Sequence, residues 1–584
     1  MSPRIAQVQQ AETVHIVVPA PGRPRATPRN LLVQEAVPMT VLAQDPSVGR
    51  RPVATTIPVP AERLAPGPRG HRFAVLDAEP VDLTGRDPWV YVDHWAGSAP
   101  EALVADRGFR AQNVFAVAAH TLALVEQYLG RPVPWYGGEP QLALRPQGTI
   151  GPAAFYSRAD GAVNFGWVPP LDDRPLVFTA LNYDVVAHET THAVLDGLRP
   201  RFAEPGLPDQ LAFHEALADL VALLSVFTLD GVAERLLEPR SGRVVLGEDT
   251  ATRAATLMAT PLTTLAEGVG PRLGRPEGLR TSGVLEPFTS WQDSRNTEFA
   301  EPHRRSEILV AAFLHTLVGM WAGRLEPLAS VAGGLDSARV AEEGVKSAEH
   351  LLGMLLRSLD YLPPVDLEFA DVIDSVLTAD ARLAPDDRHH YRDALQTAFA
   401  GFGIVPPEHH ILDEDGVAAP ARKRRPRTLG IRYEHLNLAA LRTSPDELYS
   451  FLWNNAPVLG VDVGYPTRVE RVLTSTRVGP DGLVVTEILA DYTQNLRTTV
   501  AELPAHGIHP PKEAPPDAAV EFWGGGVLVF DQFGRFRLHQ RQPLLDARRQ
   551  KRRLKRLFAP GAPAADPTRA AEPFALLHGV GAGG

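Results

Sequence analysis

Val185-Val186-Ala187-His188-Glu189-Thr190-Thr191-His192-Ala193-Val194 is the most informative stretch of this 584-residue chain. Val185–Leu198 has the apolar spacing of a helix, and Gly197 and Pro200 close it. On a helix, positions i and i+4 share a face, so His188 and His192 can reach one metal ion. Glu189 then sits beside that metal, placed to take a proton from a metal-bound water. Alone, the five-residue pattern fixes three positions and recurs in many helices, so its surroundings carry the argument.

With twenty-two residues between it and His192, Glu215 opens Glu215-Ala216-Leu217-Ala218-Asp219 on a second helical run, Phe213–Leu229. Glu215 supplies a third protein ligand and leaves the fourth position for water, as a catalytic zinc site requires. Asp219, one turn on, can accept a hydrogen bond from the far ring nitrogen of a ligand histidine and fix its tautomer. Both carboxylates lie among Phe213, Leu217 and Leu220–Leu224, where an unpaired charge is costly.

These two stretches resemble the metal-binding and glutamate helices of the thermolysin-like metalloendopeptidases, in the gluzincin clan. The resemblance covers roughly residues 110–315. Ala153-Ala154-Phe155-Tyr156 is similar to the substrate-binding edge strand, with Ala153 where the family has asparagine. His303, followed by Ser306, Ile308 and Ala311-Ala312, is similar to the catalytic histidine and its helix, and Glu298 to the carboxylate that orients it. Leu279-Arg280 resembles the arginine that binds a substrate carbonyl.

The resemblance implies one zinc per chain on His188, His192 and Glu215, with Asp219 behind the ligands. Glu189 would be the proton-transferring base and His303 the oxyanion donor. Arg280, Ala153, Ala154 and Phe155 would hold the substrate. It also implies an α+β fold: a thermolysin-like two-lobed catalytic domain, with a twisted β-sheet lobe and a helical lobe. Three departures stand out. No tyrosine lies between His192 and Glu215, where the family carries a second oxyanion donor, and that stretch is slightly longer than in thermolysin itself. Val226 stands where a calcium-binding carboxylate is expected, although Asp184 is retained, so structural calcium is not supported. Aminopeptidases of the clan anchor the substrate amine with an acidic edge strand. Here Gly161-Ala162-Val163-Asn164-Phe165 offers Asn164 and no charge, which favours internal peptide bonds.

Around this core, length suggests several domains. Residues 1–72 read as a proline-rich extended arm, since positions 1–70 hold 12 prolines and no aromatic residue. Residues 73–405 read as the catalytic domain and 406–428 as a linker with the basic run Arg422–Arg427. Residues 429–545 read as a small α+β C-terminal domain of unknown role. Its signals are a helix capped by Ser444 and hairpins around Gly479-Pro480-Asp481-Gly482 and Asp531-Gln532-Phe533-Gly534. Residues 546–584 read as a basic, then Ala/Pro/Gly-rich, tail.

The chain has no cysteine, so any transition metal rests on His, Asp or Glu. With 58 basic and 69 acidic residues the net charge is −11, and nucleic acid is not an expected partner. No apolar leader follows Met1–Gln10, and Ile308–Gly323 is too short to span a bilayer. The expectation is a cytoplasmic zinc endopeptidase acting on peptides or proteins, no membrane involved, with leaderless export left open and a partner conceivable for the C-terminal domain. The competing expectation is a latent or inactive zinc-stabilised binding module. Retention of Glu189 speaks against it, because a purely structural site needs no base.

Overall fold

The computed structural model describes residues 35–44, 53–84, 91–233 (save 152, 169–176 and 205), 254, 257–258, 285–293, 298–329, 337–407, 411–413, 430–558 (save 434–435, 438 and 480–481), 574 and 578. The fold is mixed α and β, in two packed units.

The N-terminal unit begins with an antiparallel hairpin, β1 (Ala36–Gln44) and β2 (Val53–Pro60). Over residues 35–44 and 53–72, the part of 1–72 that is described, the expectation of an extended arm is corrected. Met39, Val41, Ile57 and Val59 are buried in the main core. The hairpin lies on α2 (Arg107–Leu129), which follows the short α1 (Pro100–Ala105). Two polar residues of α2 tie it down: Gln112 Nε2 donates to Thr40 O (2.9 Å), and Asn113 Oδ1 accepts the Leu42 N–H (3.0 Å). Low aromatic content missed this because alternating Val, Met and Ile side chains bury enough area against a preformed helix.

The sheet beside α2 contains β3 (Phe73–Val75), β4 (Leu142–Ile150), β5 (Phe155–Ser157) and β6 (Ala162–Val168) in the order β3-β4-β6-β5, and β7 (Val177–Phe178) pairs with β6. β5 runs antiparallel to β6 at the end of that order. Gly161-Ala162-Val163-Asn164-Phe165 thus lies on an inner strand, where Asn164 Oδ1 accepts from Arg145.

Below β5 runs α3 (Tyr183–Leu198), started by Asn182, whose Oδ1 accepts the Asp184 N–H (3.0 Å). Nearly every residue of α3 is buried, as befits a helix packed on all sides. It packs on α4 (Pro208–Phe227), and α4 on α5 (Pro302–Ala329). α4 and α5 are long and apolar enough to cross a membrane, yet both are largely buried here as core helices. α6 (Ser337–Ser358), α7 (Phe369–Leu383) and α8 (Tyr391–Gly401) complete this unit.

The C-terminal unit is an antiparallel sheet in the order β8-β12-β11-β10-β9, with α9 (Pro445–Leu459) on one face. Its strands are β8 (Ile411–Asp413), β9 (Thr467–Val478), β10 (Val484–Thr499), β11 (Ala519–Asp531) and β12 (Phe536–Gln542). β8 lies inside the stretch expected to be a linker. The period of two divides each strand between two cores. Ile488, Ala490, Leu528 and Phe530 face α9, while Leu489, Val527 and Val529 face Tyr361 and Ala379 of the N-terminal unit.

Buried ion pairs fasten the same junction. Asp360 accepts from Arg131 and Arg477, Glu487 from Arg477, Arg382 and Tyr361, and Asp491 from Arg199 and Arg471. At its end α2 turns through Gly130 (φ 68°), where a Cβ would meet Thr476 O at 2.0 Å. Ser475 Oγ donates to Leu129 O (2.6 Å), so the second unit satisfies a terminal carbonyl of α2. After β12, α10 (Ala547–Leu557) carries the basic run, with Arg549 buried against Glu368 and Asp371.

Candidate metal centre

α3 brings His188 and His192 one turn apart, with their Nε2 atoms 3.0 Å from each other. From α4, Glu215 places Oε2 3.7 Å from His188 Nε2 and Oε1 3.6 Å from His192 Nε2. Four ligands on a tetrahedral zinc with bonds of ~2.0–2.1 Å stand ~3.3 Å apart, so these separations suit a shared ion.

The outer nitrogens are also held. Asp219 Oδ1 lies 2.9 Å from His188 Nδ1, and the carboxylate can only accept, so Nδ1 carries the proton and Nε2 presents its lone pair. His192 Nδ1 lies 2.9 Å from Nδ1 of His214, a fully buried histidine next to Glu215 that sequence reasoning passed over. Burial holds His192 neutral, well below the usual imidazole range, and pushes His214 down to about 3.

His303, at the start of α5, comes to the same place, with Nε2 3.3 Å from Glu215 Oε2. Its orienting carboxylate differs from expectation. Glu298 is largely exposed and pairs with Arg304 Nη2 (2.7 Å), while Glu301 Oε1 lies 2.5 Å from His303 Nδ1. The physical reason is helix capping. Glu301 Oε2 accepts the Arg304 N–H (2.9 Å), which fixes this carboxylate at the helix start beside His303. Burial would raise the Glu301 carboxyl, but His303 and that backbone N–H bring it below its usual range.

Glu189 is buried under β5, and its Oε2 accepts the Tyr156 N–H (3.0 Å). Ala153, half-buried, and Ala154, buried, lead into that strand, which Phe155, half-buried, begins. Arg280 lies outside the described residues.

The expectation that the fourth position is left to water is corrected. His578, from the segment read as a tail, enters the cluster with Nε2 3.6 Å from Glu215 Oε2. Its Nδ1 lies 2.9 Å from Ala154 O and 3.0 Å from Glu189 Oε1. A carbonyl oxygen only accepts, so Nδ1 is the donor there. His578 Nε2 is buried without a hydrogen-bond partner. One ligand atom from each of His188, His192, Glu215 and His578 falls within 4.8 Å of the others. Phe574, fully buried, packs at tilted angles among Tyr156, His192 and His214, with ring centroids 5.5, 5.0 and 4.7 Å away. The sequence does hold a signal for this pair: an aromatic and a histidine four residues apart after Pro573 share one helical face.

The donor set fits a divalent cation. Three imidazole nitrogens and one carboxylate converge, with Glu215 Oε1 and His578 Nε2 both lacking hydrogen-bond partners. Burial would raise the Glu215 carboxyl, yet His303 and His192 hold it well below its usual range. Burial likewise disfavours a charged His578, but Glu189 and Glu215 raise it well above the usual range, so these carboxylates call for positive charge between them. No protein-family model matches the chain, and no curated protein matches it.

Proposed function

We propose that this chain is a zinc-dependent peptidase of the thermolysin-like, gluzincin type, cutting internal peptide bonds of peptide or protein substrates. The observation that carries the reading is Glu189. It is a buried carboxylate on the turn between two converging histidines, outside the ligand set, beneath the backbone of a strand at a sheet edge. A structural metal site has no use for such a base. The edge strand over α3 and the glutamate helix α4 beside it support the two-lobed arrangement implied by the resemblance.

Bound zinc would polarise a scissile carbonyl and acidify a water. Glu189 takes the proton of the attacking water on its carboxylate and delivers it to the leaving amine nitrogen. His303 would donate from Nε2 to the developing oxyanion, with Glu301 2.5 Å from Nδ1 holding its ring. Ala154 O, just before β5, offers an acceptor for a substrate N–H. Tyr156 N–H keeps the base aligned.

One observation favours the second reading, a metal-stabilised binding module without turnover: His578 completes four protein ligands, as structural zinc sites do. Hydrolysis of an internally quenched peptide library by zinc-loaded protein separates the two. We expect cleavage by His578→Ala and none by His578→Ala/Glu189→Gln, with one zinc in each. A His578→Ala protein that holds zinc in an accessible site and cleaves nothing sinks the peptidase reading.

A further inference from the structure

We propose that Phe574 and His578 form a built-in latch, in which His578 is the fourth metal ligand and keeps the site closed. The proposal rests on the metal-site reading above and adds its regulation.

The latch blocks three functions at once. His578 Nε2 points at the place among His188, His192 and Glu215 that a reacting water would need. Its Nδ1 lies 3.0 Å from Glu189 Oε1, while Tyr156 N–H takes Oε2, so both oxygens of the base are engaged. The same Nδ1 lies 2.9 Å from Ala154 O, the carbonyl on which an extended substrate would pair. Phe574 supplies the apolar anchor, wholly buried between Tyr156 and the His192–His214 pair. The His578 N–H donates to Phe574 O (3.0 Å), an i to i+4 bond that sets both side chains on one side.

Energetically, the latch is an intramolecular ligand. Tethering raises its effective concentration to roughly the mM range, so one imidazole and one phenyl ring suffice to hold a site closed. Residues 559–573, between α10 and Phe574, contain four prolines and no aromatic residue. Cutting within them would separate the latch from the body and lose the tether. Competing metal-binding ligands would displace it without cleavage, at an apparent affinity equal to the intrinsic one multiplied by the fraction of open molecules.

The test uses the full chain loaded with cobalt(II) in place of zinc, and acetohydroxamate as the probe, because a hydroxamate binds only where the coordination sphere opens. Wild type, His578→Ala and Phe574→Ala are compared by metal content and by visible absorption during titration. We expect one metal in each and hydroxamate binding at least ~10-fold tighter in both variants than in wild type. Phe574→Ala keeps every ligand atom, so it reports the latch even where loss of His578 impairs folding. Equal affinity in wild type and Phe574→Ala overturns the proposal. So does loss of metal from a folded His578→Ala protein, which would make His578 an indispensable structural ligand. Peptide hydrolysis is scored separately. Variants that open to hydroxamate and still cleave nothing leave the latch standing and remove the peptidase reading.

Discussion

Nδ1 of His578 stands 3.0 Å from Oε1 of Glu189, so the last stretch of the chain and the centre of α3 meet at one carboxylate. Two groups compete for that oxygen: a tethered imidazole and, in the open state, a reacting water. Removing the imidazole exposes the base, and removing the base tests whether exposure matters. In a His578→Ala background, Glu189→Gln is expected to retain metal and to lower kcat by about 10²–10⁴, the contribution of a positioned base. Elemental analysis with peptide turnover checks it, and undiminished kcat excludes Glu189 from the chemistry.

Asp219 fixes the His188 tautomer through a 2.9 Å contact and touches none of the reacting atoms. Asp219→Ala should weaken metal retention by roughly 10–100-fold. Competition against a chromophoric chelator measures this. Unchanged affinity would show that the far nitrogen of His188 needs no carboxylate.

Glu301 and Glu298 give opposite expectations although both flank His303. Glu301 holds His303 Nδ1 and caps Arg304, whereas Glu298 makes a largely exposed pair with Arg304. In open protein, His303→Ala should cost about 10²–10³ in kcat, as loss of an oxyanion donor does. Glu301→Gln should lose part of that with KM little changed, plus about 1 kcal/mol of stability from the weakened cap. Glu298→Gln should leave kcat unaltered. The reverse ranking would restore Glu298 to the orienting role.

The helices that carry ligands were legible because their chemistry is local. Val185–Leu198 and Phe213–Leu229 announce themselves by apolar period and breakers, and the structure gives Tyr183–Leu198 and Pro208–Phe227. The C-terminal hairpins follow from turn chemistry in the same way. What escaped depends on distant chain. β1 and β2 look disordered by composition, yet α2 supplies the surface and the amides that order them. His578 sits in a stretch whose Ala, Pro and Gly content conceals the four-residue spacing of Phe574 and His578, and its meaning comes only from Glu189, Glu215 and Ala154 around it. Glu301 was missed because a cap is a backbone relationship, and a matched sequence position pointed to Glu298 instead.

Asp360 lies fully buried between Arg131 of the N-terminal unit and Arg477 of the C-terminal sheet. Burial would raise its carboxyl, but the two guanidiniums hold it well below the usual range. A depressed folded pKa stabilises above the ordinary carboxylate range, and that contribution is lost as pH falls through and below it. Asp360→Ala leaves two buried cations short of a partner and should destabilise the protein by about 3–5 kcal/mol at neutral pH. Urea unfolding against pH checks both statements. A variant as stable as wild type at neutral pH would mean that the apolar contacts of Leu489, Val527 and Val529 and the Glu487 and Asp491 pairs hold the junction without Asp360.

His539 gives a pH dependence located away from the metal centre. It is fully buried on β12, and its Nε2 lies 2.9 Å from the Tyr492 hydroxyl. Burial, with Arg541 nearby, pushes its imidazole down to about 3. Between the ordinary value near 6.5 and about 3, the unfolded chain therefore binds a proton that the folded chain refuses. Stability should fall as pH drops through that window, by about 1.4 kcal/mol per pH unit from this one group. His539→Gln keeps a partner for Tyr492 and has no proton to gain, so its stability should lack that component. Subtracting the variant's stability–pH curve from the wild-type curve isolates the histidine from the carboxylates titrating beside it. A flat difference between about pH 6 and about pH 4 would mean that the imidazole takes up its proton in the folded state, with Tyr492 and the sheet moving to admit it.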